Sequence, residues 1–496
     1  MSRRRTHLAL SLFVVLLVGL SLLPGTPAPF RSPIAQAAGS PLAYLWSALA
    51  LNQTYSLAWG DVDGDGALDL VVGNLDAPNQ LYRNQGGTLV LDPTWTPAAQ
   101  STYSVAWGDV NGDGALDLVV GNKGQPNQLY RNQGGTLVLD PAWAPVAQET
   151  YSVAWGDVNG DGALDLVVGN KGQPNQLYRN QGGTLVLDPA WLPTAQDTTS
   201  VAWGDVDGDG DLDLAVGNNG QSNQLYRNKG GVLTLDSTWA PAGLSTYSLA
   251  WGDVDGDGRL DLLVGNYGQP NQLYRNQSGS LVLDSTWAPA GGQSTLSVAW
   301  GDVDGDGDLD LAVGNATDPN DLYINQGGIL VLDPTWTPAV QATSSVAWGD
   351  VDGDGALDLA AGNINQANLV YRNQANTLTA DPAWAPGGQL TNKLAWGDVD
   401  GDGDLDLAVG PQTSPLWHTL LADPGGRLVG RRAERAGRER RDGHGRSDVR
   451  LQLPPRRGVD PPPGPCAPLT AFHCVFLARV HANRMLSARK CICQNR

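Results

Sequence analysis

The sequence predicts an all-β fold made of small antiparallel sheets that repeat along the chain, and three observations support this prediction. Variants of the stretch WGDVNGDGALDLVVGN begin at eight tryptophans: Trp59, Trp107, Trp155, Trp203, Trp251, Trp300, Trp348 and Trp396. Six of the seven intervals between them are 48 residues and one is 49. Each repeat holds four short runs of β-forming residues separated by Gly, Pro and Asn. No window shows an amphipathic helical period.

Residues 101–148 illustrate the strands of one repeat. In order, they contain TYSVAWGD, LDLVVGN, NQLYRN and TLVLDPAW, which predict its first to fourth strands. Four strands in a repeat of about 40–50 residues are typical of one blade of a β-propeller. A lone blade leaves two sheet faces uncovered. We therefore expect the tryptophans of AWG and of DPxW to fill the spaces between neighbouring blades.

The two ends of the repeat region predict how the ring closes. Residues 42–61 resemble the end of one repeat followed by the start of the next, with Trp46 in the place of Trp95. The last copy, from Trp396, runs through LDLAVG to a third strand expected at SPLWHT. The N-terminal strand around Trp46 would then complete the final blade. This predicts eight blades, and seven blades with a loose terminal copy is the alternative.

An acidic loop of the form D-x-[DN]-G-D-G-x-x-D follows each first strand. Alternate residues of a tight loop can point side-chain oxygens at one centre, and its glycines permit the positive φ angles that this needs. Position 7 varies among Ala, Asp and Arg, as expected if only its backbone carbonyl contributes. Such a hard oxygen cage suits Ca²⁺ better than Mg²⁺, which retains its water. An EF-hand is excluded because Val72 stands where that loop needs a glutamate.

The loops predict about eight Ca²⁺ sites, one per repeat. A metal-free Asp/Gly turn is the alternative, but all eight copies keep an acid or Asn at positions 1, 3, 5 and 9. The predicted ligands at positions 1, 3, 5, 7 and 9 are Asp61, Asp63, Asp65, Ala67, Asp69; Asp109, Asn111, Asp113, Ala115, Asp117; Asp157, Asn159, Asp161, Ala163, Asp165; Asp205, Asp207, Asp209, Asp211, Asp213; Asp253, Asp255, Asp257, Arg259, Asp261; Asp302, Asp304, Asp306, Asp308, Asp310; Asp350, Asp352, Asp354, Ala356, Asp358; and Asp398, Asp400, Asp402, Asp404, Asp406.

With these loops, residues 42–420 resemble the FG-GAP/VCBS repeats of integrin α-chain propellers and their bacterial relatives. The resemblance implies a calcium-binding β-propeller in which the acidic loop joins the first two strands of each blade. WG stands here where the family has FG, and VGN or AVGN stands for GAP. No integrin partner is implied.

The chain divides into three segments by composition. Residues 1–37 are predicted to be a signal peptide, with basic Arg3–Arg5, apolar Leu8–Leu23 and a small-residue cleavage site at Ala35–Ala37. The propeller is expected over 38–420, outside the cell or at its surface. An uncleaved N-terminal anchor is the alternative that would bring a membrane contact. Residues 421–496 are rich in Arg and Pro and are interpreted as a disordered, decayed or frameshifted tail, with a basic interaction tail as the alternative.

The charge of the body argues against several functions. Residues 38–426 carry 11 basic and 46 acidic residues, a net charge of −35, and Glu149 is the one acid that is not Asp. So acidic a body repels nucleic acid phosphates. Residues 38–417 contain no His and no Cys, which removes Ser-His-Asp triads, Cys nucleophiles and His-ligated zinc. We expect no enzyme activity.

The near-identity of the repeats favours a multivalent recognition or adhesion module for carbohydrate or protein. A propeller-type polysaccharide lyase and a structural spacer of the cell envelope are the alternatives. The face opposite the acidic loops is expected to carry Tyr103, Tyr151, Tyr247 and Tyr267 as weak ligand-binding candidates, beside Gln125, Asn127, Gln173 and Asn175. Alternatively, these tyrosines cover blade edges and the amides make hydrogen bonds within turns.

Overall fold

The structure is a computed structural model that describes residues 43–47, 52–287, 289, 291–381, 391–411 and 419–422. For residues 43–47, 411 and 419–422 only the backbone is considered. The described residues form 32 β-strands and no α-helix, so the predicted all-β fold is confirmed. None of them belongs to a helix long and apolar enough to cross a membrane. The signal peptide predicted over 1–37 lies outside these ranges. So does the tail predicted over 421–496, except for residues 421 and 422, which belong to the last described strand.

Seven groups of four consecutive strands follow one another along the chain. The first four groups are β2 Gln53–Gly60, β3 Asp69–Leu75, β4 Gln80–Asn84, β5 Leu89–Leu91; β6 Thr102–Gly108, β7 Asp117–Gln125, β8 Gln128–Gln133, β9 Thr136–Leu139; β10 Gln148–Gly156, β11 Asp165–Gln173, β12 Gln176–Asn180, β13 Leu185–Leu187; and β14 Gln196–Gly204, β15 Asp213–Gln221, β16 Gln224–Lys229, β17 Val232–Leu235. The next three are β18 Leu244–Gly252, β19 Asp261–Asn266, β20 Gln272–Gln277, β21 Ser280–Leu283; β22 Thr295–Gly301, β23 Asp310–Asn315, β24 Asp321–Asn325, β25 Leu330–Leu332; and β26 Thr343–Gly349, β27 Asp358–Asn363, β28 Leu369–Asn373, β29 Leu378–Ala380.

An eighth group is composite and joins the two ends of the repeat region. It consists of β30 Thr391–Gly397, β31 Asp406–Pro411 and β32 Thr419–Ala422, with β1 Ala43–Ser47 as its outer strand. The N-terminal strand therefore completes this group, as the sequence predicts. Its third strand begins at the last residue of SPLWHT, and the rest of that stretch lies outside the described residues.

Within each of the first seven groups the strands pair antiparallel in chain order, and in the eighth the order is β30, β31, β32, β1. The first strands of neighbouring groups contact one another. The tripeptide AWG couples these neighbours. The indole Nε1 of Trp251 donates to the carbonyl oxygen of Ala202, 3.4 Å away in the preceding group. In the same way Trp59 donates to the carbonyl oxygen of Ala395 at 3.4 Å. This last bond links the first and eighth groups and closes the ring.

The core lies between neighbouring groups rather than within one sheet. In the cluster between the third and fourth groups, buried Val167 and Trp191 pack with Trp203 and Tyr226. The rings of Trp191 and Tyr226 meet edge to face, with centroids 5.2 Å apart. The predicted structural role is therefore confirmed for the tryptophans of AWG and for those of DPxW that the structure describes.

The glycine of AWG makes room for the next tryptophan, which yields a stability prediction. A Cβ added to Gly204 would lie 3.0 Å from Nε1 and Cε2 of Trp251. Because the indole is held by a hydrogen bond and by the core, we expect Gly204→Ala to lower the free energy of unfolding by about 1–3 kcal/mol, measured by denaturant titration. In the double variant Gly204→Ala/Trp251→Phe the clash is relieved, so its cost should be smaller than the sum of the single costs. Strictly additive costs would contradict this packing.

Candidate metal centres

The acidic loop joins the first and second strands of each group, as the sequence predicts. In the third group β10 ends at Gly156 and β11 begins at Asp165, with the loop between them. Trp155 and Leu166 are paired across the two strands beside it. The loop therefore lies at one end of the sheet, on the side that also carries the hairpin between the third and fourth strands.

Side chains at positions 1 and 5 fold the loop around a common centre. The carboxylate of Asp157 accepts hydrogen bonds from the amides of Asp161 and Gly162, at 3.1 and 2.8 Å. The Oδ1 of Asp161 accepts from the amide of Ala163 at 2.9 Å. Gly160 and Gly162 have φ angles of 70° and 89°, which a residue with a Cβ rarely adopts. The two glycines thus allow the tight coil that the sequence predicts.

The aspartate at position 9 differs from the others because it is buried and begins the second strand. Oδ1 of Asp165 accepts from the amide of Asn180 at 2.6 Å, and its Oδ2 accepts from the amide of Val158 at 3.2 Å. The Nη1 of Arg179 lies 3.3 Å from the same Oδ2. The side chain of Asp165 has no exposed surface. This residue therefore fixes the loop to the third strand, in addition to any role as a ligand.

Several loops bring three carboxylates close enough to share one cation. One oxygen from each of Asp61, Asp63 and Asp69 lies within 4.8 Å of the other two. The same holds for five further groups, among them Asp205, Asp207, Asp213; Asp253, Asp255, Asp257; Asp302, Asp304, Asp306; and Asp350, Asp352, Asp358. The donors are all carboxylate oxygens, and in the three named groups that include position 9 that aspartate is buried. A hard divalent cation such as Ca²⁺ fits this donor set.

Burial makes the negative charge at position 9 costly. It raises the pKa of Asp69, Asp213 and Asp310 to about 6, and that of Asp406 to about 8. At Asp406 the neighbouring carboxylates of its own loop raise the pKa further, after burial. A cation held by the loop would offset both effects.

Each acidic loop also contacts the following group. Val110 lies in the acidic loop of the second group, and its carbonyl oxygen accepts a hydrogen bond from Nδ2 of Asn180 in the third group, at 2.7 Å. A Cβ on Gly183 would lie 3.2 Å from the Cβ of Asn111 in that loop. The Nη2 of Arg179 donates forward to the carbonyl of Gly231 in the fourth group. The loops therefore lie on the seams between groups.

Sequence reasoning missed the arginine that links these parts. Arg179 pairs with Asp165 and, through Nε at 3.0 Å, with Asp188 at the end of the fourth strand. A signal was present, because a YRN sequence recurs in six repeats of a body with only 11 basic residues. The arginines at this position are Arg83, Arg131, Arg179, Arg227, Arg275 and Arg372.

The loop of the fifth group differs from the others at position 7. The guanidinium of Arg259 forms an ion pair with the position-5 carboxylate, Asp257. Its Nε also donates to the carbonyl of Asn276 at 3.2 Å. The arginine therefore competes for a carboxylate that the other loops leave for a cation.

On the opposite face the tyrosines fall into two separate places. The rings of Tyr103 and Tyr151 have centroids 4.6 Å apart. Those of Tyr247 and Tyr267 are 5.6 Å apart and belong to the fifth group. Tyr247 and Tyr267 are 37% and 43% exposed, so both pairs offer ring surface to solvent.

The amides expected beside these tyrosines are used inside the protein. Asn127 is buried, its Oδ1 accepts from the amide of Asn122, and its Nδ2 donates to Thr150 at 2.9 Å. Asn175 makes the equivalent bonds. The side-chain oxygen of Gln125 accepts from the amide of Ser101, just before β6, and that of Gln173 accepts from the amide of Glu149 in β10. The alternative of internal hydrogen bonds holds for the buried Asn127 and Asn175, whereas Gln125 and Gln173 remain partly exposed.

The sequence profile of the FG-GAP-like repeat family matches the chain seven times: over 61–120, 109–168, 157–216, 205–264, 253–313, 302–361 and 350–409. Seven matches fit the blade number of the alternative prediction. Seven groups are also formed by consecutive strands, whereas the eighth group is the composite one that joins the two ends of the repeat region. Each match contains two successive acidic loops, so the overlapping matches together span all eight. The sequence has no significant match among curated proteins.

Solved propeller structures resemble the fold at low sequence identity. The Sqt1 protein of Saccharomyces cerevisiae is 12% identical, with a TM-score of 0.59, over 78% of this chain and 99% of its own. Sqt1 of Chaetomium thermophilum is 14% identical, with a TM-score of 0.54, over 77% and 100%. The C-terminal WD40 domain of Sif2 is 15% identical, with a TM-score of 0.53, over 78% and 99%. These similarities support the β-propeller fold and nothing beyond it.

Proposed function

Because the chain belongs to the FG-GAP-like repeat family, we propose that it is a calcium-stabilised recognition module that acts outside the cytoplasm. One observation carries this proposal: the acidic loops lie on the seams between neighbouring groups. A cation in such a loop stabilises the junction as well as the loop itself. In the third group Asp157, Asn159, Asp161 and Asp165, with the carbonyl of Ala163, would hold the ion.

Bound calcium would supply the positive charge that these carboxylates lack. The arginines at the third strand neutralise part of the buried charge at position 9, but the exposed carboxylates of each loop remain close together. Repulsion between them falls when a divalent cation is bound. The ions would thus provide the cross-links that disulfide bonds provide in other exported proteins, because residues 38–426 contain no cysteine.

Recognition is a better proposal for this body than catalysis. Residues 107–143 and 155–191 are identical over 37 positions, so neighbouring groups present nearly equivalent surfaces. A catalytic site needs one asymmetric arrangement of distinct groups. The leader-like sequence of residues 1–37 supports export of the chain.

A ligand screen tests the proposal. The full, calcium-loaded chain is applied to a glycan array and used in a pull-down from extracellular material, with an EDTA-treated sample in parallel. We expect a specific ligand that is lost or weakened when calcium is removed, and tighter binding of its multivalent form. Turnover of a polysaccharide that a single substitution in one group abolishes would contradict the non-catalytic proposal.

The raised pKa values at position 9 predict an unusual pH dependence of the metal-free protein. A carboxyl whose pKa is raised on folding contributes stability below its unfolded pKa, and this stability is lost as pH rises through the folded value. For Asp69 and Asp406, with pKa values of about 6 and about 8, the loss falls between about pH 4 and about pH 8. In EDTA the melting temperature should therefore decrease over this range.

Calcium should reverse this trend, because it binds the ionised carboxylates and its stabilising effect grows as they lose their protons. Asp406→Asn is the matched control because asparagine has the shape of a protonated aspartate and does not ionise. In this variant the melting temperature in EDTA should fall less between about pH 6 and about pH 8. Melting curves across the pH range, with EDTA and with calcium, measure both effects. An EDTA curve that rises steadily with pH would contradict the prediction.

A further inference from the structure

Three tyrosines and two lysines form a continuous surface on the face opposite the acidic loops. They are Tyr55, Tyr103, Tyr151, Lys123 and Lys171, and we call them the tyrosine–lysine arc. The tyrosines lie near the start of the first strand in the first three groups, and the lysines near the end of the second strand in two of them. The start of the first strand and the end of the second strand both lie at the edge of the sheet opposite the acidic loop. We propose that this arc binds an anionic polysaccharide whose sugars carry carboxylates, an inference that rests on the proposed recognition function.

The rings of the arc follow one another from group to group. The centroids of Tyr55 and Tyr103 are 4.6 Å apart, as are those of Tyr103 and Tyr151, with interplanar angles of 40° and 45°. Each tyrosine stands at a β-bulge, where the register of the first two strands shifts. A bulge redirects a side chain out of the regular alternation of the strand. This explains how three rings from three sheets meet side by side, each still partly exposed.

The two ammonium groups lie over these rings. The Nζ of Lys123 is 5.5 Å from the ring centroid of Tyr103 and 5.9 Å from that of Tyr151. The Nζ of Lys171 is 5.5 Å from the centroid of Tyr151. All three distances fit a cation–π interaction. The Lys123 amine also makes side-chain hydrogen bonds with Tyr103 and Tyr151. Both amines are therefore held beside the aromatic surface.

The charge on these lysines is a local exception in a body of net charge −35, whose general repulsion of polyanions the contacts of the arc must exceed. The seven arginines between residues 38 and 426 all form ion pairs with aspartates near the acidic loops. Among the described residues, no carboxylate lies within ion-pair distance of Lys123 or Lys171. Their partners in the strand register are Glu149 and Asp197, which lie near enough to compete weakly for the same amines.

The arc covers part of the ring, which gives it the form of a strip. At the bulge position of the fourth, seventh and eighth groups stand Thr199, Ser344 and Asn392, and each side chain donates to a backbone carbonyl of the next group. Those side chains serve the ring itself. A linear ligand could therefore lie along the first three groups, where each aromatic ring is partly exposed.

A repeating polymer fits the arc better than a peptide of unique sequence. Tyr103 with Lys123 and Tyr151 with Lys171 form two copies of one unit, one group apart along the strip. The C–H face of a pyranose can stack on a tyrosine ring, and a carboxylate on the same sugar can reach the neighbouring amine. Successive sugars of a polyuronate would make the same contacts at both units, and the two contacts would strengthen each other.

Binding of a homogeneous oligogalacturonate to the full calcium-loaded chain tests this proposal. The variant Lys123→Gln/Lys171→Gln removes both charges and keeps the rings. Lys229→Gln is the matched control, because Lys229 is exposed at the third-to-fourth strand hairpin on the acidic-loop side. Titration calorimetry at low and high salt is run with the oligogalacturonate, its carboxyl-reduced neutral form and a polyglutamate peptide.

We expect the double lysine variant to weaken oligogalacturonate binding by about tenfold or more and to reduce its salt dependence. Lys229→Gln should change the affinity by less than about twofold. Replacing Tyr103 and Tyr151 together by Ala should also weaken binding, and the neutral form should bind more weakly than the acidic one. Melting curves verify that each variant folds.

Three results would overturn the proposal: no binding of oligogalacturonate, equal affinity of the double lysine variant, or tighter binding of polyglutamate. If the ligand screen then finds another calcium-dependent ligand, the recognition function stands and only the arc is wrongly assigned. Release of an unsaturated sugar product during the titration would support the ligand class and contradict the non-catalytic function.

Discussion

Chelation of calcium with EDTA should lower the melting temperature of the full chain by about 10 °C or more. A site that is tenfold above its dissociation constant contributes about 1.4 kcal/mol to stability, and eight such sites contribute on the order of 10 kcal/mol. Extracellular calcium modules hold the ion at roughly 10⁻⁴–10⁻³ M, so millimolar calcium fills them and EDTA empties them. Without the ions, the body would retain its net charge of −35.

Magnesium is the control for general charge screening. It prefers a smaller octahedral shell and gives up its water reluctantly, so Ca²⁺ should restore the melting temperature better than Mg²⁺ at equal concentration. Metal analysis after dialysis in millimolar calcium gives the number of bound ions. Absence of calcium in that analysis, or a melting temperature that does not respond to EDTA, would falsify the proposed stabilisation by calcium.

The features that were predictable from the sequence are those that depend on neighbours in the chain. Alternating residues such as those of TLVLDPAW define a strand, and glycines at fixed spacing define the turn that carries the acidic side chains. The 48-residue period then places every acidic loop in the same position of its sheet. The likeness of residues 42–61 to a repeat end even located the strand that completes the eighth group.

The features that were missed depend on contacts across the ring. Arg179 reaches Gly231, 52 residues away, and Asn180 reaches Val110, 70 residues away. No local pattern states which side chain meets which loop, because this depends on how the groups pack. The same limitation explains Asn127, whose amide is polar in the sequence but buried and bonded between strands in the structure.

Substitution of a single position-9 aspartate should be more damaging than substitution of a position-5 aspartate in the same loop. Asp165→Ala removes the acceptor for two backbone amides and the partner of Arg179, all in a buried place. Breaking a buried ion pair in this way costs about 3–5 kcal/mol. We expect this loss from denaturant titration in EDTA, where no metal contributes.

Asp161→Asn is the matched control because Asp161 is exposed and an asparagine still accepts the amide of Ala163. In EDTA it should unfold like the parent chain, whereas in calcium it should lose one ion. The double change Asp157→Ala/Asp161→Ala should also lose one ion, and the other seven loops should stay filled. If Asp165→Ala and Asp161→Asn are equally stable in EDTA, the aspartate at position 9 serves only as a metal ligand, and its contacts to the third strand contribute little to the free energy of unfolding. If they differ as expected, the same carboxylate serves two tasks: it anchors the loop to its own sheet before any metal binds, and it then completes the cation site on the seam. Such a dual role fits the aspartate that stands at position 9 in all eight repeats, although positions 1 and 5 are aspartate in all eight as well.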